Sequence, residues 1–596
     1  MADEFVPRLL PKDLTVDDST QSTQLFSPGH VEARLETFPA TTYLTDGPPT
    51  TYLDWTKLDQ DTALPQLDGA RMLLYPKVKD FNINPFNGTG HFGPWMSMTM
   101  ENKSTPAEVL VVAPGHEEIG CTAIHHDAVF YFYFDPSRDC VYICNHSFRH
   151  FLATKRGRNT LYQIPGGQGR ALSVGIWDLV FDGQSILEVQ VMKRKAWPTS
   201  CDRPLKRVAS ADGNPSKRLK VSKKLVAPLY KPSPSELDEN ALVKLEKGMK
   251  IHVGPRENGY WLTRLDTIID AKYSAVWRAR HSSVPNTDIA VKVVKLRRSD
   301  DRWVASTSKN WLREYTIHSC LHHRSIVRLL GCDARFHSLY LEYIDAKALS
   351  HWVSPDLDFT GTEQQALRIM EELTSALSHM HSKEIIHGDL KPANVLYNND
   401  RGAVLIDFGL SFQVGNSAQS RGCGTPWYLP PEYMTSGRVE GPETDIWALG
   451  VIMLWLFGYI GLPERTYEGW QLPDISPVGT QVDAHEKAMD QMDSWINCIL
   501  SVRQRFITPK STKLAQLVGK MLETKASARI DAVSLSQELR NLRLSDSQGD
   551  KPDKPPQHLS HDTATAPGNT SGQGTEYTPV ATSTPNNDAD NLLTQI

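Results

Sequence analysis

The sequence predicts a multi-domain α+β chain: an all-β, sandwich-like N-terminal domain, then a two-lobed domain whose first lobe is rich in strands and whose second is helical. Length is the first observation, because 596 residues exceed what one core organises at about 150 residues per domain. The second is a change of period. Apolar residues alternate in short runs before residue 195 and recur at three and four after residue 364, as half-buried strands and a one-faced helix require. The third is an ordinary globular composition, 40% hydrophobic and 22% charged, which excludes collagen-like and wholly disordered chains. With 64 basic and 69 acidic residues the net charge is −5. No global field favours a polyanion, and neither direct nucleic-acid binding nor a membrane partner is expected.

Residues 1–65 mix Pro, Thr, Asp and Gln with little periodicity, and residues 546–596 are rich in Pro, Thr, Ser, Asn and Gly; both are expected to be disordered tails. The β pattern occupies residues 66–195. Its runs are 109–112, 129–134, 141–144 and 187–191, separated by turn clusters such as Asp135-Pro136-Ser137 and Pro165-Gly166-Gly167. Residues 196–250 are expected to be a flexible linker: from Lys193 to Lys224 there are eleven Lys or Arg against two acids, with no helical stripe. The second domain, 251–545, opens with strands at 275–279, 289–294, 326–330 and 339–343. After Gln364 the positions Ala366, Met370, Leu373, Leu377 and Met380 mark one buried helix face. The long apolar run from Trp447 to Leu462 has 16 residues, short of the ~20 that span a bilayer, and reads as a core helix. Eight cysteines without a C-x-x-C pair suggest a reducing compartment, and the N-terminus shows no secretory pattern, so an intracellular protein is expected.

The residues that carry chemistry form an ordered series in the second domain. Ala290-Val291-Lys292 ends a β-branched run, so a strand holds an ammonium at a fixed point where it can neutralise nucleotide phosphates. A lone strand lysine is ordinarily a solvated edge residue. Glu314 is read as opening a helical pattern that leads to Leu321 and His323, where a carboxylate can pair with Lys292. Then come His387-Gly388-Asp389-Leu390-Lys391-Pro392-Ala393-Asn394 and, after a hairpin, Leu405-Ile406-Asp407-Phe408-Gly409. Phosphoryl transfer needs a carboxylate near the acceptor hydroxyl, oxygen ligands for magnesium, and a cation on the non-reacting phosphates. Each tripeptide alone recurs by chance; the series Lys292, Glu314, Asp389, Asn394, Asp407 supplies all three requirements.

On these motifs the segment from about residue 256 to 544 resembles the eukaryotic-type protein kinase family. The resemblance implies a bilobal kinase fold, ATP and Mg2+, and protein substrates. It implies Lys292 on the phosphates, Glu314 as its ion-pair partner, Asp389 as catalytic base, Lys391 on the transferred phosphoryl, and Asn394 and Asp407 as metal ligands. For nucleotide binding it implies Ile269, Ala271, Ser274 and Val276 around the phosphate loop and Ala290 beside Lys292. Leu341-Glu342-Tyr343-Ile344 matches the hinge segment, with Glu342 and Ile344 toward the adenine. Later family marks are Gly424-Thr425-Pro426, Pro430-Pro431-Glu432 where the family usually has Ala-Pro-Glu, Asp445-Ile446-Trp447, and Arg529 as the partner of Glu432. Lys391 and Thr425 resemble the serine/threonine branch, since tyrosine-directed members usually place Ala or Arg where Lys391 stands; dual specificity stays open.

Two positions depart from the family pattern. The register set by Val276 puts Ile269, Ala271 and Ser274 where the glycine-rich loop has glycines, which is expected to weaken nucleotide binding because a Cβ hinders approach of backbone N–H groups to phosphate. A pseudokinase scaffold that signals by binding alone is the alternative. Gly388 replaces the arginine that usually precedes the catalytic aspartate, so phosphorylation of Ser417 or Ser420 is expected to be dispensable. Cys423, beside two glycines, reads as a plain thiol.

Residues 141–147 and 171–179 resemble the later strands of forkhead-associated domains, β-sandwiches that read phosphothreonine. Thr122 and His125 stand as a degenerate form of that family's Ser-x-x-His element, and the usual opening Gly-Arg is not evident. The resemblance implies phosphoprotein partners; a docking or regulatory β domain without a phosphate site, or an adaptor working mainly through phosphopeptides, is the other reading. Lys206-Arg207 with Lys217-Arg218-Leu219-Lys220 and Lys223-Lys224 resembles a bipartite nuclear import signal, giving the nucleus or cytoplasm as the expected location, and Ser210 lies in a basophilic phosphorylation context.

Overall fold

The computed structural model describes residues 52–53, 70–85, 96–100, 108–112, 119–158, 160–193, 240–254, 259–296, 302–415, 424–436, 441–475, 481–505, 508 and 511–549. Most of the two expected tails, the basic stretch 194–239, Ser417, Ser420 and Cys423 lie outside the described residues.

The N-terminal region is all β. Among the described residues one sheet has eight strands and a second has five, in the order Gly169–Ser173, Cys140–Asn145, Ala128–Phe134, Gly120–His125, Asn82–Pro85. Ala128–Phe134 (β1) and Cys140–Asn145 (β2) are joined by a turn in which the Asp135 carboxylate accepts the Ser137 and Arg138 N–H groups at 2.8 and 3.1 Å. Alternation decides the core. Phe130, Phe132 and Phe134 from β1, with Val141 and Ile143 from β2, meet Leu74, Phe151, Trp177, Leu179, Leu187 and Val189 from the larger sheet in one buried cluster.

The small lobe of the second domain is a six-stranded sheet in the order Lys250–Val253, Tyr260–Asp270 (β3), Ser274–His281 (β4), Val284–Val294 (β5), Ser338–Glu342 (β6), Leu329–Asp333. Period-two alternation along β4 and β5 separates two faces. Trp277, Ala279, Ile289, Val291 and Val293 turn into a core that Leu242 and Leu245 close from one side. Residues 240–250, expected as linker, are therefore part of the lobe: Asn240 caps the helix Ala241–Lys244 and donates to the Phe336 carbonyl at 2.7 Å. The helix Arg302–Ser319 (α1) follows β5, with Val304, Ala305, Trp311, Leu312 and Tyr315 in an apolar cluster. It begins twelve residues before Glu314, so Glu314 lies in its later turns rather than at its start, and Leu321 and His323 fall beyond its end.

The strand expected at 326–330 is displaced to Leu329–Asp333. Ile326 makes a lone parallel bridge to Leu405, and Ile326 and Val327 are buried in the core of the large lobe while Leu330 joins the small-lobe core, so the apolar run is split between the two lobes. That core surrounds Glu363–His381 (α2), started by a capping box between Thr362 and Gln365, and Glu443–Leu456 (α3), whose side chains from Thr444 onward are all buried. Among the described residues no helix is long and apolar enough to cross a membrane. Gly450 lets α3 approach the neighbouring chain: a Cβ there would lie 2.8 Å from a Leu522 methyl. The final helix, Ala532–Gly549, runs four residues past the boundary expected at 545.

Candidate active site

The second face of the small-lobe sheet supplies the roof of a cleft. Ile269 pairs with Val276, Val276 with Lys292, and Ala290 with Leu341, so these side chains share the face opposite the lobe core. Lys292 Nζ lies 2.7 Å from Glu314 Oε1 on α1 and 2.7 Å from Asp407 Oδ1. Burial acts to depress the ammonium, but the Asp407 and Glu314 carboxylates outweigh it and hold the Lys292 pKa above its ordinary value. Burial pushes Glu314 up against the pull of Lys292. Asp407 is held well below the usual carboxylate range: desolvation by the surrounding protein is outweighed by Lys292 and by the Gly409 N–H at 3.2 Å. Its backbone is left-handed, φ +63°.

The floor comes from the large lobe, between the short strand Ile385–Ile386 and the hairpin Val395–Asn398 and Gly402–Leu405. Asp389, 7% exposed, is held by three groups. Thr425 Oγ1 donates to its Oδ1 at 2.6 Å, Lys391 Nζ lies 2.9 Å from its Oδ2, and the Asn394 amide nitrogen donates to its Oδ2 at 3.1 Å and to its carbonyl at 2.8 Å. Lys391 also donates to Thr425 Oγ1 at 2.8 Å, closing a triangle. Beneath it, Asp445 at the start of α3 accepts the His387 and Gly388 N–H groups at 2.9 and 3.0 Å and meets His381 Nε2 at 2.9 Å. Burial would raise the Asp445 pKa, but His381 and the His387 N–H hold it below its ordinary value. Arg529 grips Glu432 in a two-pronged pair at 2.9 and 3.0 Å.

The donor set suits a hard cation. Three carboxylates, Glu314, Asp389 and Asp407, gather here with the ammoniums of Lys292 and Lys391 and the Arg313 guanidinium. Asn394 donates through nitrogen, so its amide oxygen is the atom left for a metal. No group of three His, Cys, Asp or Glu converges among the described residues. A mixed amide and carboxylate oxygen pair is what magnesium beside phosphates takes, rather than zinc.

Residues 265–539 match the family model described as protein kinase domain. Over 268 residues the chain is 30% identical to Cell division control protein 2 homolog 3 of Trypanosoma brucei brucei, covering 44% of this chain and 82% of that protein. The chain belongs to the protein kinase family. Two further relatives of this chain are Probable serine/threonine-protein kinase MARK-A of Dictyostelium discoideum, 32% identical over 230 residues (37% of this chain, 21% of that protein), and Serine/threonine-protein kinase chk-1 of Caenorhabditis elegans, 24% identical over 277 residues (44% and 52%). The chain thus spans about a fifth of the first and half of the second.

The chain departs from the family pattern at residues 269–274, and the structure shows what stands in for the glycines. β3 and β4 close on Ala271-Lys272-Tyr273, with the Ala271 N–H donating to Ser274 O at 2.9 Å. Lys295, three residues after Lys292, ties this turn down: its N–H bonds Tyr273 O at 2.8 Å, and its ammonium bonds Ala271 O at 2.7 Å and pairs with Asp270. Sequence reasoning missed Lys295, although a second lysine immediately after the same strand was visible. It also missed Arg313, whose guanidinium donates to the Gly409 carbonyl at 2.5 Å beside Glu314. Gly388 has φ +77°, and a Cβ there would stand 3.1 Å from Leu410 O, so glycine relieves strain at the position where the family usually carries arginine. In the hinge, the Glu342 N–H and carboxylate are engaged with Arg328 and Arg401, and the Ile344 carbonyl accepts from Ala346 N at 2.9 Å. In the N-terminal region, Thr122 Oγ1 donates to Asn84 O at 3.3 Å and His125 stacks on Phe81 with centroids 5.5 Å apart.

Proposed function

We propose that the chain is a serine/threonine protein kinase that transfers the γ-phosphoryl of ATP to protein hydroxyls. The observation that carries this is the Asp389 carboxylate held by Thr425, Lys391 and Asn394. Asp389 orients the acceptor hydroxyl and takes its proton as the new oxygen–phosphorus bond forms and the bond to the β-phosphate oxygen breaks, releasing ADP. Lys391 offsets charge on the moving phosphoryl, and Lys292, aligned by Glu314, offsets charge on the phosphates that stay behind. Asn394 and Asp407 are the residues that would hold Mg2+, which supplies Lewis-acid neutralisation of phosphate charge when bound. Ile269, Val276, Ala290, Glu342 and Ile344 frame the nucleotide, with Ala271 and Ser274 over its phosphates. The serine/threonine preference is supported by the bond between Lys391 and Thr425.

The test is incorporation of label from γ-labelled ATP into dephosphorylated casein by the full chain. Lys292→Met, Asp407→Asn and Asp389→Ala should each lower turnover roughly 100- to 10,000-fold, because this chemistry is mostly positioning and electrostatics. Label uptake unchanged in all three would sink the reading, and a wild-type chain that binds nucleotide without transferring phosphate would favour the pseudokinase alternative. For the N-terminal domain a docking role is favoured over phosphothreonine reading, since the Thr122 hydroxyl and the His125 ring are engaged internally. The basic run 206–224 supports action in the nucleus. A fluorescent fusion of residues 193–226 that stays uniformly cytoplasmic would count against it.

A further inference from the structure

The alternation along β1 has a second consequence. With Phe130, Phe132 and Phe134 turned into the N-terminal core, Tyr131 and Tyr133 point out of the other face of the five-stranded sheet, joined there by Tyr142 and Cys144 from β2. A sheet with two apolar faces needs a cover on each. On the outer side the cover is α1 of the kinase. Ile119, Tyr133 and Tyr142 are 2%, 0% and 2% exposed, in one cluster with Val304, Ala305 and Trp311 of α1 and with Cys332, Ala334 and Leu339 of the small-lobe sheet. The Lys309 ammonium stands over the Tyr131 and Tyr133 rings, 5.9 and 5.7 Å from their centroids.

This contact falls on the helix that carries Glu314. Lys309 and Glu314 are five residues apart, which turns their side chains about 140° from one another around the axis. One flank of α1 therefore meets the N-terminal sheet while another reaches Lys292 at 2.7 Å. Between them, Trp311 Nε1 donates to the Ser338 carbonyl at 3.3 Å and Ser308 meets His337 at 3.1 Å, fixing the helix to the small lobe. Swinging Glu314 away from Lys292 requires α1 to rotate or slide, and that motion would strip Tyr133 and Tyr142 of their cover.

We propose that the N-terminal β domain works in cis as a clamp on α1: its docking through Tyr131, Tyr133 and Tyr142 onto Val304, Ala305 and Lys309 holds Glu314 on Lys292 and so sets catalytic competence. The proposal rests on the kinase reading above. Tyr133 and Lys309 are positioning residues; neither touches nucleotide or substrate.

The test uses the full chain with Tyr133→Glu, which puts a charge into the interface, and Lys309→Ala, which removes only the cation above the rings. Each is assayed for casein phosphorylation and for amide hydrogen exchange. Tyr133→Glu should lower kcat/KM by at least tenfold and raise the KM for ATP, and exchange should speed up in residues 302–319 while α2 and α3 keep their protection. Lys309→Ala should move the same quantities in the same direction by about threefold. Wild-type kcat/KM in both variants overturns the clamp, as does loss of activity with exchange in 302–319 unchanged. If the wild-type chain phosphorylates nothing, the kinase reading fails, and the exchange of 302–319 still decides whether the sheet restrains the helix.

Discussion

His337 carries an imidazole inside the small lobe, 1% exposed, stacked on Trp311 at 6.0 Å between centroids and bonded to Ser308. Burial lowers its pKa to about 4, with Asp135 opposing. The unfolded chain titrates near 6.5, so the native state binds fewer protons, and this contribution to stability is complete above about pH 6.5 and is lost as pH falls toward 4. At pH 5 the loss is about 2 kcal/mol. His337→Asn keeps the left-handed backbone, φ +48°, with no titrating group. Denaturation midpoints at pH 7.5 and 5.0, followed by tryptophan fluorescence, should differ less in the variant by about that amount, and an identical pH dependence would contradict the assignment. Thr425 acts at the same scale. Its hydroxyl accepts from Lys391 and donates to Asp389, so Thr425→Ala should lower kcat about 10- to 100-fold with little change in the KM for ATP, equivalent to about 1.4–2.7 kcal/mol of transition-state stabilisation.

At the scale of the element, the β3–β4 hairpin replaces flexible glycines with a tethered turn. Glycines let amides approach phosphates but must be ordered when nucleotide binds; Lys295 orders this turn beforehand through Ala271, Tyr273 and Asp270. Lys295→Ala should raise the KM for ATP about fivefold, the equivalent of roughly 1 kcal/mol of ordering entropy, and leave kcat within about twofold of wild type. A larger effect on kcat than on KM would assign Lys295 to the chemistry instead. The helix α1 shows why element boundaries resist sequence reasoning. Its first half is chosen by contact with two sheets, one of them more than a hundred residues earlier in the chain, and period alone gave Glu314 as the start.

At the scale of the whole molecule, competence is expected to come from docking rather than from activation-loop phosphate. The chain has no arginine at 388 whose charge a phosphate would neutralise, and the Gly388 N–H is bonded to Asp445. Full chain carrying alanine at both Ser417 and Ser420 should therefore keep casein phosphorylation within about threefold of wild type; abolished activity would restore the loop as the switch. The convergence of Lys292 with Asp407, and of Asp389 with Lys391 and Asn394, was legible because these residues sit in short motifs whose spacing is set by local chain geometry. Lys295 and Arg313 were not legible, since each acts on a segment distant in sequence, and neither was the partner of α1. By itself the sequence determined which residues alternate between the two faces of strands such as β1, β4 and β5, because the two-residue period is a property of the backbone. Only the tertiary structure decided what covers the outward Tyr131, Tyr133 and Tyr142, because apolar burial is non-directional and any complementary face satisfies it.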